Sequence, residues 1–499
     1  MSAFGPSRPP SDYIGGAWRA IAGDAVQSRD PAAPDRVIWS GTPKVQHVHE
    51  AVAAARGAFP AWRALGLEAR GALLRRFAEA CARHAERLAR TITAEMGKTL
   101  AESRAEAKLL QDKVAITLEP ATLSRVKDFE VDAGAGRRGA CHFRPFGVMA
   151  VIGPFNFPAH LPNGHWVPAL LLGNTVVFKP SDRTPAVGQV IAEIAEEAGL
   201  PPGVFNVVQG EADVAGALVS HEGVDGILFT GSFPVGRRIL EANLDRPGRM
   251  VALEMGGSNA AIVWSDADLR RAVIECVRGA YATTGQRCTC TRRIIVHEAI
   301  AERFVTGFCR LASTAVVGAG TDPEPVFMGP VASRAARDAV LTRQAALARD
   351  GGRVLLEAAE HDREGWFIGP GLVQVPRFDR ATDCETFGPL AQLSVVRDLD
   401  DAITQANATD FGLVAAVFCQ DESVWNACFD RLRVGCLNRD TGTAGASSRL
   451  PFGGLGRSGN LRPAGSFAVD LGAYPVATLR DSSNAPTLPV GIPVGAWRS

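Results

Sequence analysis

The chain has 499 residues, of which 46% are hydrophobic and 21% charged, with 53 basic and 53 acidic side chains and a formal net charge of +0. That length calls for two or three domains, and the composition is that of a globular protein with a sizeable core. Balanced charge without a long basic run excludes an electrostatic case for nucleic acid or an anionic membrane, and no apolar stretch is long enough to span a bilayer.

Residues 1–12 are polar and Pro-rich and are expected as a flexible tail; they lack the charged start and apolar block of a signal peptide. Residues 12–20 read as a short strand and turn. Residues 48–118 read as helices, with Leu73, Phe77, Cys81 and Leu88 near one stripe of the stretch 70–90. Residues 140–144 and those before them form an extended excursion. From Gly147 strands alternate with helices: strands at 148–152, 175–178, 204–208 and 226–229, helices at 166–172, 187–198 and 214–220. That alternation predicts an α/β fold with a parallel sheet covered on both faces. A second series starts near Ala260, with strands at 294–296, 393–396, 414–418 and around Leu437, and helices at 301–312 and 334–349. Residues 467–478 read as another extended segment, and the chain beyond Ser482 is Pro-rich.

Ten cysteines at irregular intervals, with no C-x-x-C pair, point to a reduced cytoplasmic protein without structural metal. One of them, Cys288, lies in the small polar run Ala282-Thr-Thr-Gly-Gln-Arg-Cys288-Thr-Cys290, and Glu254 is followed by Met-Gly-Gly257. A thiol that attacks a carbonyl and a carboxylate that activates water are the parts of thiol-based acyl chemistry. The bland reading is a buried structural Cys near a Gly turn. Gly153-Pro-Phe-Asn156-Phe-Pro holds Asn156 in a stiff frame, suited either to donate to an oxyanion or to satisfy loop backbone. Lys179-Pro-Ser181-Asp182 ends a strand, where ligands bind in open parallel sheets and a Lys and an Asp can grip ribose hydroxyls; a solvated loop is the other reading. Gly231-Ser232-Phe233-Pro234-Val235-Gly236 joins a strand to a helix, as a phosphate-approaching junction or simply a tight turn. Glu385-Thr-Phe387-Gly-Pro389 combines a carboxylate, an aromatic ring and a fixed turn. His160 and His165 lack a nearby Cys or carboxylate to complete a metal set.

In this order, Pro154-Phe-Asn156-Phe-Pro, Lys179-Pro-Ser-Asp, Phe229-Thr-Gly-Ser, Leu253-Glu-Met-Gly-Gly, Gly285-Gln-Arg-Cys288, Glu385-Thr-Phe-Gly-Pro and Pro451-Phe-Gly-Gly resemble the aldehyde dehydrogenase superfamily over nearly the whole chain. Residues 157–165, 285–293 and 458–463 look like its succinylglutamate semialdehyde dehydrogenase branch. Asp182 stands where that branch usually has Glu, Ser258-Asn-Ala260 where it has Asn-Asn-Pro, and Asn438-Arg-Asp-Thr441 where it has Asn-Trp-Asn-Lys.

The resemblance implies a Rossmann-type NAD-binding domain (13–126 and 147–259) with a five-stranded parallel sheet. It also implies an α/β catalytic domain (260–440), a linker near the substrate pocket (441–464) and a β-flap (127–146 and 465–482) that makes a homodimer. It implies NAD-dependent oxidation of N-succinylglutamate 5-semialdehyde, a step of arginine catabolism, in the cytoplasm. Cys288 would be the nucleophile, Glu254 the base, and Asn156 with the Cys288 N–H the oxyanion donors. Lys179, Ser181, Asp182, residues 231–236, Glu385 and Phe387 would hold NAD. A substrate with two carboxylates calls for cations and donors, for which Arg287, Arg439, Arg462, Ser447 and Ser448 are the candidates. Oxidation of another carboxylated semialdehyde with NAD or NADP, and a non-catalytic NAD-binding protein, are the alternatives.

Overall fold

A computed structural model describes residues 4–134, 136–381, 383–481, 488–493 and 495. Residues 1–3 of the expected tail, and 135 and 482 of the expected flap, lie outside the described residues.

Two seven-stranded sheets dominate. The first runs, in spatial order, through Met250–Glu254, Gly226–Thr230, Val148–Ile152, Thr175–Lys179 and Phe205–Val207, all parallel. An antiparallel hairpin of Ser11–Ile14 and Ala17–Ala20 extends it. Val148–Ile152 is buried at every position, as a strand covered on both faces must be. Its alternate residues serve different cores. Met149 and Val151 pack with Phe77, Trp166 and Phe205 under the helices Leu67–Arg83, His160–Leu171 and Pro185–Glu197. Val148, Ala150 and Ile152 pack with Val48 and Val52 of the helix Gln46–Ala64.

The second sheet runs Arg353–Leu356, Gly371–Gln374, Leu390–Val396, Thr291–His297, Asn259–Val263, Val414–Phe418 and Cys436–Arg439. Only Arg353–Leu356 is antiparallel to its neighbour. The chain passes from one sheet to the other between Glu254 and Asn259, so both strand ends meet at that crossing. A third sheet joins Phe129–Asp132, Arg137–Pro145 and Ala473–Asp481 antiparallel.

The structure corrects several sequence expectations. The stretch 70–90 is two helices, Leu67–Arg83 and Ala85–Met96, broken where His84 leaves helical geometry (φ −99°, ψ 8°). Within the first of these helices Leu74 lies in the core, and Leu73 only leans on it. The helix expected at 166–172 begins at His160, with Pro162 tolerated because the first turn needs no N–H there. Residues Ser466–Leu471 form a 3₁₀ helix against the body, and extended chain starts only at Ala473. The strand Met250–Glu254 and the hairpin Val26–Asp30 with Ala33–Gly41 were not anticipated. The tail is tethered: the Gly5 N–H donates to Thr91 Oγ1, and the Ser7 N–H and hydroxyl donate to the Glu193 carboxylate.

Candidate active site

Cys288 follows a backbone of unusual shape. After the helix Leu269–Tyr281, Thr283 and Thr284 both take φ 55° and Gly285 takes φ 71°, three successive left-handed residues. A Cβ on Gly285 would stand 2.1 Å from the Gly388 carbonyl oxygen, so the turn presses directly on the 385–389 loop. Beyond it, Asn259 Nδ2 donates to the Cys288 carbonyl at 2.7 Å and to the Cys290 carbonyl at 2.9 Å, and Thr443 Oγ1 donates to the Thr289 carbonyl at 2.6 Å. Cys288 is half-buried and not disulfide-bonded. Burial pushes its thiol well above the ordinary range, the Glu254 and Glu385 carboxylates add to the rise, and Arg292 opposes it.

Glu254 ends the strand Met250–Glu254 and is 5% exposed. Its Oε1 has no hydrogen-bond partner among the described residues, and burial holds the carboxyl well above the usual range. An unsatisfied buried oxygen marks a place for water or a ligand polar group. Asn156 is buried in the loop after Val148–Ile152, and its Nδ2 donates to the Gln286 carbonyl at 3.0 Å, two residues before Cys288. That bond uses one amide hydrogen and leaves the other.

The cofactor candidates gather at the carboxyl ends of the first sheet's strands. Lys179 Nζ donates to the carbonyls of Pro180 and Gly210, both at 2.6 Å, and burial brings its ammonium down to about 8. Ser181 Oγ donates to Asp182 Oδ1 at 3.3 Å, and Asp182 faces solvent. Ser232 precedes the helix Phe233–Glu241, with Pro234 in its first turn and Val235 exposed beside it. A Cβ on Gly236 would stand 2.4 Å from Met255 Sδ, so this helix start lies tight against the Glu254 segment. Free first-turn amides with an adjacent Ser fit a pyrophosphate, and Lys179 retains one donor for a hydroxyl, so these residues fit a dinucleotide. Glu385 Oε1 accepts from the Gly257 N–H at 2.9 Å, and Phe387 meets Phe155 edge-on with centroids 5.8 Å apart. His165 is buried within hydrogen-bond distance of Thr230 Oγ1 (3.2 Å), and burial lowers it and His160 to about 4. Among the described residues no cluster of three or more His, Cys, Asp or Glu side chains is placed to hold a metal.

The substrate candidates separate. Arg287 lines a cavity of ≈ 420 Å³ with Glu102, Arg278, Gly442 and Gly445. It pairs with Glu102 at 3.0 Å and donates from Nε to Thr283 Oγ1 at 2.7 Å. Arg439 is engaged by a neighbouring helix. Its guanidinium pairs with Glu422 at 2.5 Å, donates to the Gln420 carbonyl at 3.0 Å and lies 5.6 Å from the Trp425 ring. Side-chain alternation along Cys436–Arg439 sends Asn438 to the Gly442 carbonyl and Arg439 to the helix Glu422–Arg431. Arg462 is exposed without a hydrogen bond or ion pair among the described residues; Ser447 is exposed, its hydroxyl accepting from the Arg449 N–H (3.3 Å) and its carbonyl from the Leu450 N–H (3.1 Å), and Ser448 is partly exposed. Sequence reading missed Asn259, Arg292 and Glu102. Only Asn259 carried any signal, as the end of Gly256-Gly-Ser-Asn259.

Comparison with known proteins identifies the scaffold. The model of the aldehyde dehydrogenase family matches residues 18–471. N-succinylglutamate 5-semialdehyde dehydrogenase of Burkholderia mallei (strain SAVP1) is 43% identical over 473 residues, 94% of this chain and 96% of the relative. Among solved structures, an E. coli NADP-dependent enzyme superposes with TM-score 0.90 at 33% identity, over 95% of this chain and 98% of that one. An indole-3-acetaldehyde dehydrogenase in complex with NAD+ does so with TM-score 0.89 at 29% identity, over 94% and 96%. The chain belongs to the aldehyde dehydrogenase family and is an aldehyde-oxidising oxidoreductase that uses a nicotinamide cofactor.

Proposed function

We propose that this aldehyde dehydrogenase oxidises N-succinyl-L-glutamate 5-semialdehyde to N-succinyl-L-glutamate with NAD. The observation that carries the reading is the convergence of Cys288, Glu254, Asn156 and Glu385 where the two sheets exchange the chain. The substrate follows from the 43% identical relative of that name.

In this reading the Cys288 sulfur adds to the aldehyde carbon, giving a thiohemiacetal. The second amide hydrogen of Asn156 and the Cys288 N–H hold the oxygen as it gains charge, and one such donor is commonly worth ~3–4 kcal/mol. Nicotinamide held by the residues named below would supply the hydride acceptor for oxidation of the adduct to a thioester. Glu254 then takes a proton from water as the water attacks the thioester; its raised proton affinity makes it the stronger base, commonly worth ~10²–10⁴ in rate. Lys179, Ser181 and Asp182 hold the adenosine ribose, residues 231–236 the pyrophosphate, and Glu385 with Phe387 the nicotinamide end. A carboxylate at 182 repels a 2′-phosphate, which favours NAD over NADP.

The exposed edge strand Phe129–Asp132, with Phe129 55% and Val131 51% accessible, suits pairing with a second copy, and a cytoplasmic homodimer is the proposed state. Among the described residues no helix is long and apolar enough to cross a membrane.

A spectrophotometric screen of semialdehydes with NAD and NADP tests the reading. The highest kcat/KM is expected for N-succinylglutamate semialdehyde with NAD. A neutral aldehyde preferred over every carboxylated one would refute the substrate, and a preference for NADP would refute the cofactor.

A further inference from the structure

One buried guanidinium has no part in the steps above. Arg292 is among the largest fully buried side chains, one residue into the strand Thr291–His297. Its Nη2 donates to the carbonyl of Arg287, the residue before Cys288, at 3.1 Å. Its Nη1 donates at 3.1 Å to the carbonyl of Gly388, in the turn that carries Glu385 and Phe387. The charged carbon lies 5.6 Å from the Phe387 ring centre. Its Nε is buried with no hydrogen-bond partner among the described residues. Two neutral carbonyls do not neutralise a buried cation, and such a charge is costly unless something nearby carries the opposite sign.

We propose that Arg292 is the positioning cation of this active site: its guanidinium clamps the turn bearing Cys288 to the loop bearing Glu385 and gives the nucleophile a positive neighbour. The charged and titratable groups facing Cys288 are Glu254, Glu385, Cys290 and Arg292, and Arg292 is the one that favours the sulfur anion. It favours the Glu385 carboxylate as well, against Asp383. Arg287, the nearer cation in sequence, has its charge committed to Glu102. The same clamp keeps the left-handed turn in register with the 385–389 loop, which the contact of Gly285 with Gly388 also requires.

The inference rests on Cys288 being the nucleophile and not on which aldehyde is oxidised, so its test uses no substrate. The full-length enzyme, with and without NAD, is treated with iodoacetamide from pH 6 to 10, and modification at Cys288 is followed by fragment-ion mass spectrometry. Arg292→Gln keeps hydrogen bonding and removes the charge. Its alkylation midpoint is expected to move upward by about one pH unit, with a roughly ten-fold slower reaction at neutral pH. Arg292→Lys keeps the charge and gives up the two-carbonyl bridge, so its midpoint stays with the wild type while the Kd for NAD, measured by equilibrium binding, rises several-fold. A Gln variant with the wild-type midpoint overturns the proposal, as does a Lys variant displaced like the Gln one. Should the Gln variant fail to fold, the Lys variant decides alone on its midpoint.

Discussion

The side-chain amide of Asn259 donates to the carbonyl of Cys288 at 2.7 Å, which ties the first residue of a buried strand to the reacting residue. The same nitrogen reaches the Cys290 carbonyl, and its oxygen accepts from the Val414 N–H at 3.1 Å. One amide thus fixes the segment Cys288–Cys290 to the rigid second sheet. Asn259→Ala takes the side-chain donor from both carbonyls, at ~1–3 kcal/mol. The expected result is a kcat about 10–100-fold lower with little change in KM. Wild-type kcat in a folded variant would remove the orienting role.

Glu254 separates the two halves of the reaction. Glu254→Gln keeps the shape and loses the base, so hydride transfer is expected to continue once while thioester hydrolysis slows by ~10²–10⁴. Stopped-flow absorbance should show an NADH burst followed by a slow steady state, and intact-mass spectrometry should show an acyl group on Cys288. Absence of both the burst and the adduct contradicts the assignment. Cys288→Ala should give neither NADH nor adduct.

Lys179 makes cofactor binding depend on pH. As an ammonium it has three hydrogens, two of which go to the Pro180 and Gly210 carbonyls. The third is lost when the group deprotonates at about 8. The KM for NAD should therefore rise between pH 7 and 9. In Lys179→Arg, where no proton is lost in that interval, KM should stay level. Parallel pH profiles for the two enzymes would show that the third hydrogen is not used.

Glu95 links stability to pH at a distance from the chemistry. Its buried carboxyl accepts from Ser28 Oγ and from the Ala186 and Val187 N–H groups at the start of the helix Pro185–Glu197, and burial raises it to about 7. A folded value above the unfolded one of about 4.5 means the protonated group stabilises the fold. That contribution is complete below the unfolded value and disappears as pH rises through about 7. Equilibrium denaturation of wild type and Glu95→Gln should show the wild type's relative stability falling by on the order of 2–3 kcal/mol from pH 4.5 to 8. A difference that stays constant over this range would mean the carboxyl is ionised throughout.

The sequence disclosed what is local. Val148–Ile152 and Val414–Phe418 are uninterrupted apolar runs set between helix-like stretches, and in that alternation they read as strands covered on both faces. Met250–Glu254 follows the turn Arg246-Pro-Gly-Arg249 and ends on a charged residue, so it carried neither alternation nor a long apolar run. Val26–Asp30 and Ala33–Gly41 are rich in polar residues because they pack at the rim, with few core positions. Cys288, Glu254 and Asn156 stood out because small and rigid neighbours frame them. Arg292 and Glu102 did not, since their roles arise from partners far along the chain: Arg292 touches Gly388, and Glu102 holds Arg287 and Thr283. Arg439 looked suitable by position, but one step of strand alternation turned it to Glu422.

The left-handed threonines ahead of Cys288 carry a consequence for engineering. Branched residues in that conformation cost on the order of 1–2 kcal/mol each. Glycine at either position would relieve that cost but give up the bonds of the Thr283 hydroxyl with Glu102 and Arg287, or that of the Thr284 hydroxyl to the Gly329 carbonyl, which offset about as much. The corner gains no heat resistance from such an exchange, and a more robust catalyst is better sought at the exposed surface.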